Sequence, residues 1–375
     1  MKILLVANVA KEHVNKFHIP TIQMLMKYGN DVDVACRLDE PVRECSRSFD
    51  LPISRSPFHT NWIKGYRKLK HIIDIGNYDI VYCHTSVGAT LARLASRHAR
   101  KEGTKVIKFA HGTYFYKNAP WYNYLYFPLY KYLAYKTDAI ITITNEDYRF
   151  SKRWFSTAKI FMVNGIGVDL NRFNVCISSQ ERLNLRYELE IPRDAHVMIY
   201  CAELIKNKNQ QLLFETLKII MRKIRNVFLV LSGIDHSGGK YRDLARRMGI
   251  ESNVRFLGWR SDIVALYKMS DICVASSIRE GFGLNIVEAM YCGLPVVASN
   301  NSGHNSIIKD GVNGFLVDIK DPQKFAERVL SLINDSNLKK RIINSSLESV
   351  NKYTSKEVLK SLYSIIMEVS GRNII

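Results

Sequence analysis

The sequence predicts an α/β chain built as two doubly wound, parallel-sheet domains, and three observations predict it. At 375 residues the chain outgrows one typical hydrophobic core. Residues 1–163 alternate short apolar runs with helical stretches. In the second half, Asp271-Ile272-Cys273-Val274-Ala275-Ser276-Ser277 reads as a strand and Asn285 to Cys292 as a helix stopped by Gly293-Leu294-Pro295. Pro295-Val296-Val297-Ala298-Ser299 reads as the next strand. Strand, glycine loop, helix and strand make a βαβ unit, whose ligand crevice lies at the carboxyl ends of the strands.

In chain order, residues 3–7, 31–35, 80–83, 106–110 and 139–143 are the candidate strands of the first domain. Residues 17–28 have helical periodicity and stop at Gly29-Asn30. The first turn, Asn8-Val9-Ala10-Lys11-Glu12-His13, has no glycine pair, which argues against a nicotinamide or flavin cofactor. His111 ends the fourth apolar run and so faces the crevice, although a lone histidine there is more often structural. His84, Thr85 and Ser86 end the preceding strand and line the same side. Residues 164–173 connect the domains, and 175–192 form a polar connection with helical character.

The second domain opens with a strand at 197–201 and a helix at 209–223. A strand at 227–232 leads through a glycine loop beginning at Gly233 into a helix from Lys240. A strand at 254–257 ends in the turn Gly258-Trp259-Arg260. Residues 312–318 close the sheet, and 323–333 and 355–369 are helices.

Composition narrows the class. Hydrophobic content of 47% and charged content of 24% suit a globular protein. No apolar run is long enough to span a bilayer and no signal-peptide pattern is present. Seven scattered cysteines without a C-x-x-C spacing imply reduced thiols in a cytosolic protein and argue against a disulfide framework or a zinc site. The net charge is +19, and residues 1–165, with 25 Lys and Arg against 13 Asp and Glu, hold +12 of it. Such a field attracts an anionic membrane or a nucleic acid, or merely keeps the surface soluble. Residues 113–136 interleave eleven aromatic side chains with Lys117, Lys131 and Lys136. That pattern suits a headgroup-level membrane surface, a base-stacking platform or a loop packed on its own core.

The chemistry centres on Arg279-Glu280-Gly281-Phe282-Gly283-Leu284-Asn285-Ile286-Val287-Glu288, in which two carboxylates stand eight positions apart. Gly281 and Gly283 allow close backbone approach. The amides of Gly283, Leu284 and Asn285 open a helix and would meet an anionic phosphate. Glu288, about one turn inside, can accept hydrogen bonds from hydroxyls of the same ligand. The spacing is equally that of a tight turn flanked by two solvated glutamates.

This run resembles the E-x7-E motif of the retaining glycosyltransferases of family 4, which have the GT-B fold, and the likeness extends along the chain. His111-Gly112 resembles that family's active-site histidine turn. Asn164-Gly165-Ile166-Gly167-Val168-Asp169-Leu170-Asn171-Arg172-Phe173 is similar to its interdomain segment, and Asp310-Gly311-Val312-Asn313-Gly314-Phe315-Leu316-Val317 to its D-G-x-N-G-x-L-V hairpin. The first half is most similar to the subgroup that builds bacterial surface polysaccharides, such as exopolysaccharide, capsule and O-antigen.

The resemblance implies two Rossmann-like domains facing a cleft, an acceptor-binding one at 1–165 and a nucleotide-sugar-binding one at 166–354, with helix 355–375 crossing back to the first. It implies that His111 and Glu280 are catalytic. Lys208, Lys206, Gly281, Phe282, Gly283, Leu284, Asn285, Glu288, Gly233 and Trp259 would bind the donor, a UDP-hexose or UDP-N-acetylhexosamine. Glu280 would fix donor-sugar hydroxyls and Glu288 the ribose. His18, His84 and Thr85 would lie on the side of the acceptor, a polyprenyl-diphosphate-linked saccharide. No metal or other cofactor is expected, and no nucleic acid partner. The expected location is cytoplasmic, peripheral on the inner face of the cytoplasmic membrane. A UDP-sugar epimerase of the same fold and a basic nucleic-acid-binding module are the competing readings.

One departure stands out. The family places R-L-x-x-x-K at the start of the second domain, whereas here Glu203-Leu204-Ile205-Lys206-Asn207-Lys208 puts a glutamate at the arginine position. On an extended segment Lys206 and Lys208 would share a face, and Lys206 could supply the missing charge.

Overall fold

A computed structural model describes residues 1–54, 61–116 and 119–372. The chain divides into two compact units, Met1–Gly167 with Ser355–Ile375, and Val168–Thr354. Each is a wholly parallel, doubly wound α/β sheet of Rossmann-like strand order.

In the first unit, β1 (Lys2–Val9), β2 (Asp31–Arg37), β3 (Arg47–Asp50), β4 (Ile80–Cys83), β5 (Lys105–Ala110), β6 (Ala139–Thr142) and β7 (Lys159–Met162) are arranged in the order β3-β2-β1-β4-β5-β6-β7. The central strands β1 and β4 are largely apolar and almost wholly buried, as a sheet covered on both faces demands, and β5 is buried likewise although it carries Lys108. The order reverses between β1 and β4, so the crevice opens at the carboxyl ends of those two strands. The helix expected over 17–28 has two parts. A wide π-helical segment, Ala10–His18, runs into an α-helix, Ile19–Lys27, that starts with Pro20 in its first turn. Proline has no N–H to give to the winding before it, so a change of helix type falls there at little cost. The last helix, Ser355–Ser370, belongs to this unit: Tyr363 stacks on Tyr28 at 4.1 Å and Glu368 pairs with Lys159 at 3.3 Å.

In the second unit, β8 (His196–Cys201), β9 (Val227–Ser232), β10 (Val254–Gly258), β11 (Ile272–Ala275), β12 (Val296–Ser299) and β13 (Phe315–Val317) follow the order β10-β9-β8-β11-β12-β13. Here the order reverses between β8 and β11. Asp271 ties the starts of those two strands together, accepting from the Val197 amide at 2.9 Å and from Arg186 at 2.9 Å. Arg186 lies in the helix Ser179–Glu188, which a Ser178/Glu181 capping box opens. The closing strand is shorter than the expected 312–318. Asp310 accepts from the Leu316 amide and Gly311 donates to the Gly314 carbonyl, so 310–314 is a turn.

No helix among the described residues is long and apolar enough to cross a membrane. All seven cysteines are free thiols.

Candidate functional site

In the second unit the loops after β8 and β11 bring Lys208 and Glu280 together. Lys208 Nζ donates to Glu280 Oε1 at 2.5 Å, and Ser277 Oγ donates to the same oxygen at 2.6 Å. Ser277 has one hydrogen, given to Glu280, so the Tyr200 hydroxyl, 2.6 Å away, donates to it. Behind this chain, Ser276 Oγ donates to the Lys208 carbonyl and the Ile278 amide to the Asn207 carbonyl, knitting the two loops side by side. Ser277 and Ser276 are completely buried. Their role was invisible in the sequence, where they read as the polar end of a strand.

Gly283 sits at φ 111°, in the left-handed region that glycine tolerates. It opens the helix Leu284–Tyr291 with no side-chain cap, leaving the first amides of that helix for another acceptor. Phe282 is buried against Tyr353. Glu288 lies one turn on, beside the Tyr267 hydroxyl at 3.4 Å. Burial pushes its carboxyl up, against the pull of Arg172 and Tyr267. Gly233 packs so tightly that a Cβ there would stand 2.1 Å from the Ala202 carbonyl oxygen. Its amide donates to the Gly258 carbonyl, next to the widely exposed Trp259.

Lys206 does not share a face with Lys208. Residues Lys206–Lys208 form a 3-10 turn, which sends alternate side chains to different sides, and Lys206 is exposed while Lys208 reaches Glu280. Glu203 is also exposed. His304 carries no motif that would single it out. It is buried, and Nδ1 donates to the Ser299 carbonyl at 2.7 Å while Nε2 has no partner. Burial holds its pKa down at about 4. It lies in a short helix, Ser302–Asn305, capped by Asn301.

In the first unit, His18, His84 and His111 converge with a fourth ring, His13, at the carboxyl ends of β1, β4 and β5. His18 Nε2 is 3.2 Å from His13 Nε2, and His84 Nδ1 is 3.4 Å from His111 Nε2. Burial, and then the neighbouring rings, push His18 and His84 well below the usual imidazole range. Burial takes His111 down to about 3, so all three rings are neutral at physiological pH. Thr85 has φ 62°, unusual for a branched residue, and its hydroxyl donates to Asn8 Oδ1 at 2.7 Å. Asn8 also accepts from the Gly88 amide, so it pins the β4 turn to the end of β1.

Residues 113–136 divide between core and surface. Phe115 and Tyr130 are buried in an aromatic cluster with Phe127, Phe150 and Phe155. Trp121, Tyr122, Tyr124, Leu125, Tyr126 and Tyr132 are exposed, Trp121 by 76%. Lys117 lies outside the described residues.

Comparison with known proteins adds to this geometry. The model of the family "Glycosyl transferases group 1" matches residues 181–348, and that of "Glycosyl transferase 4-like" proteins residues 2–145. The chain is 38% identical over 376 residues to "Putative glycosyltransferase EpsD" of Bacillus subtilis, covering 99% of this chain and 98% of that protein. It is 25% identical over 367 residues to the UDP-Gal:alpha-D-GlcNAc-diphosphoundecaprenol alpha-1,3-galactosyltransferase of Escherichia coli, covering 93% of each. Among solved structures, HepE of Anabaena in complex with UDP superposes with a TM-score of 0.78 at 21% identity, over 98% of this chain and 100% of that one. WaaG, a glycosyltransferase involved in lipopolysaccharide biosynthesis, superposes with a TM-score of 0.72 at 16% identity, over 98% of this chain and 99% of that one.

Proposed function

The chain belongs to the glycosyltransferases of family 4, and on that premise we propose that it moves a hexose or N-acetylhexosamine from a UDP-linked donor, with retention of configuration, to a polyprenyl-diphosphate-linked saccharide during assembly of a bacterial surface polysaccharide. The observation that carries the reading is the Lys208–Glu280–Ser277 cluster beside the uncapped helix start at Gly283. A cation, a carboxylate and free helix amides at the reversal of a parallel sheet suit a diphosphate joined to a sugar.

In this reading the second unit holds the donor. The departing diphosphate gathers negative charge, which Lys208 Nζ and the amides of Leu284 and Asn285 stabilise. Lys208 then exchanges Glu280 for phosphate oxygens, and the released carboxylate oxygen accepts from donor-sugar hydroxyls. Glu288 accepts from the ribose, its raised pKa relieved as those hydroxyls replace lost water. Trp259 and Gly233 form the wall for the base. His111, a neutral imidazole, offers a hydrogen bond to the reacting sugar, and His18, His84 and Thr85 line the acceptor side. No metal is required for departure of the diphosphate in this scheme. The acceptor named for the E. coli relative, a diphosphoundecaprenol-linked sugar, supports a lipid-linked acceptor here. The exposed aromatic rim over 121–132 and the basic excess of the first unit support docking on the anionic inner face of the cytoplasmic membrane.

The clamp is tested by donor binding. Lys208→Ala is expected to weaken UDP by roughly 10- to 100-fold, the value of a charge-assisted contact to phosphate. Lys206→Ala, which removes an exposed charge, is expected to weaken it by only about 3-fold. Calorimetric titration with UDP reads both. Unchanged affinity in Lys208→Ala would refute the diphosphate role, and unchanged affinity in Lys206→Ala would remove Lys206 from the clamp.

A further inference from the structure

His13, His18, His84 and His111 come from three separate strand ends, yet one ring nitrogen of each lies within 4.8 Å of the other three. Four imidazoles bound tetrahedrally to an ion at about 2.0–2.1 Å stand about 3.3–3.4 Å apart. The pairs His13–His18 and His84–His111, at 3.2 and 3.4 Å, already have that spacing. The remaining separations need to close by no more than about 1.5 Å to reach it.

Hydrogen bonds join the four rings two by two. Each neutral imidazole has one donor and one acceptor. The contacts His13–His18 and His84–His111 each run between one nitrogen of either ring. An ion at the centre would turn converging lone pairs into bonds. We propose that these four histidines form a divalent transition-metal site of the zinc class at the carboxyl ends of β1, β4 and β5. An all-imidazole set with no carboxylate suits zinc, copper or nickel and not magnesium or calcium. Cysteine spacing could not reveal it, because no cysteine takes part.

The site stands on its own geometry. One consequence rests on the transferase reading: with Nε2 on the metal, His111 keeps its proton on Nδ1, so the ring beside the sugar is fixed as a donor. The ion would thus position His111, with no contact to the diphosphate.

The test uses the full chain without a polyhistidine tag, stripped with chelator and titrated with Co²⁺. The expected result is one equivalent bound per chain, with the intense visible bands of tetrahedral Co²⁺, displaced by Zn²⁺. His13→Gln, at a partly exposed ring, and His111→Gln are each expected to bind more weakly by over 100-fold, beyond the roughly 10–100-fold lost with an outer-shell partner. Circular dichroism checks their folding, and UDP titration of the same samples checks the donor site independently. A pale, six-coordinate Co²⁺ spectrum, or equal affinity in wild type and both folded variants, would overturn the site while leaving the transferase reading intact.

Discussion

Glu280→Gln is expected to keep the fold, keep UDP binding and lose transfer by about 10²- to 10³-fold, the scale of a removed transition-state contact. The side chain is held from two directions, with Lys208 and Ser277 both donating to Oε1 and Tyr200 supporting Ser277. Glutamine has the same shape, and its carbonyl oxygen can keep one of those donors. What it lacks is the charge. Lys208 then loses its counter-ion and turns more readily to the diphosphate, so UDP affinity holds or rises while turnover falls. That split between binding and rate separates a group aimed at the sugar from one that only shapes the loop. Wild-type turnover in the folded variant would exclude Glu280 from the reaction.

Gly303→Ala is expected to damage the same loop from behind. A Cβ at this buried position would stand 2.7 Å from the Glu280 Cβ, 2.7 Å from the Phe282 carbonyl oxygen and 2.8 Å from that of Glu280. Two of these atoms are backbone, so the loop carrying Glu280 has to move. Forcing a methyl into such packing costs about 1–3 kcal/mol, and a shift of about 1 Å in a positioned group can cost about 10²-fold in rate. The contrast is Gly311→Ala: Gly311 has φ 72° but open space around its would-be Cβ, so only backbone strain of roughly 1 kcal/mol follows. Thermal melts and donor turnover of both variants make the comparison. A Gly303→Ala protein with wild-type stability and turnover would mean that the short helix at Ser302 does not buttress the loop.

Much of the architecture is legible in the residues because buried parallel strands are continuous apolar runs. β1, β4, β8, β9 and β11 all announce themselves in that way, and β5 does so around Lys108. The edge strands of the first sheet do not. Arg47–Asp50 is mostly exposed and polar, and Lys159–Met162 is four residues with no fully buried position, so neither carries an apolar run. Local type also escaped the pattern: apolar periodicity cannot distinguish the π-helical Ala10–His18 from an α-helix. At the site, the glycine loop and its two glutamates are visible as a local motif. The Lys208–Glu280 pair can be anticipated only from the family likeness, and its partners Ser277 and Tyr200 only from coordinates. The extended reading of 203–208 fails because the chain folds there into a 3-10 turn, which parts Lys206 from Lys208. His13 and His304 were missed for one reason: each becomes distinctive only through groups that tertiary folding brings to it.

The most direct measurement is release of nucleoside diphosphate from a panel of nucleotide sugars, with and without a short-chain polyprenyl-diphosphate saccharide. The expected result is UDP release from a single UDP-sugar, dependent on the acceptor and abolished in Glu280→Gln. Conversion of a UDP-sugar without acceptor, or no release from folded protein that binds UDP across the whole acceptor panel, would contradict the proposed transfer.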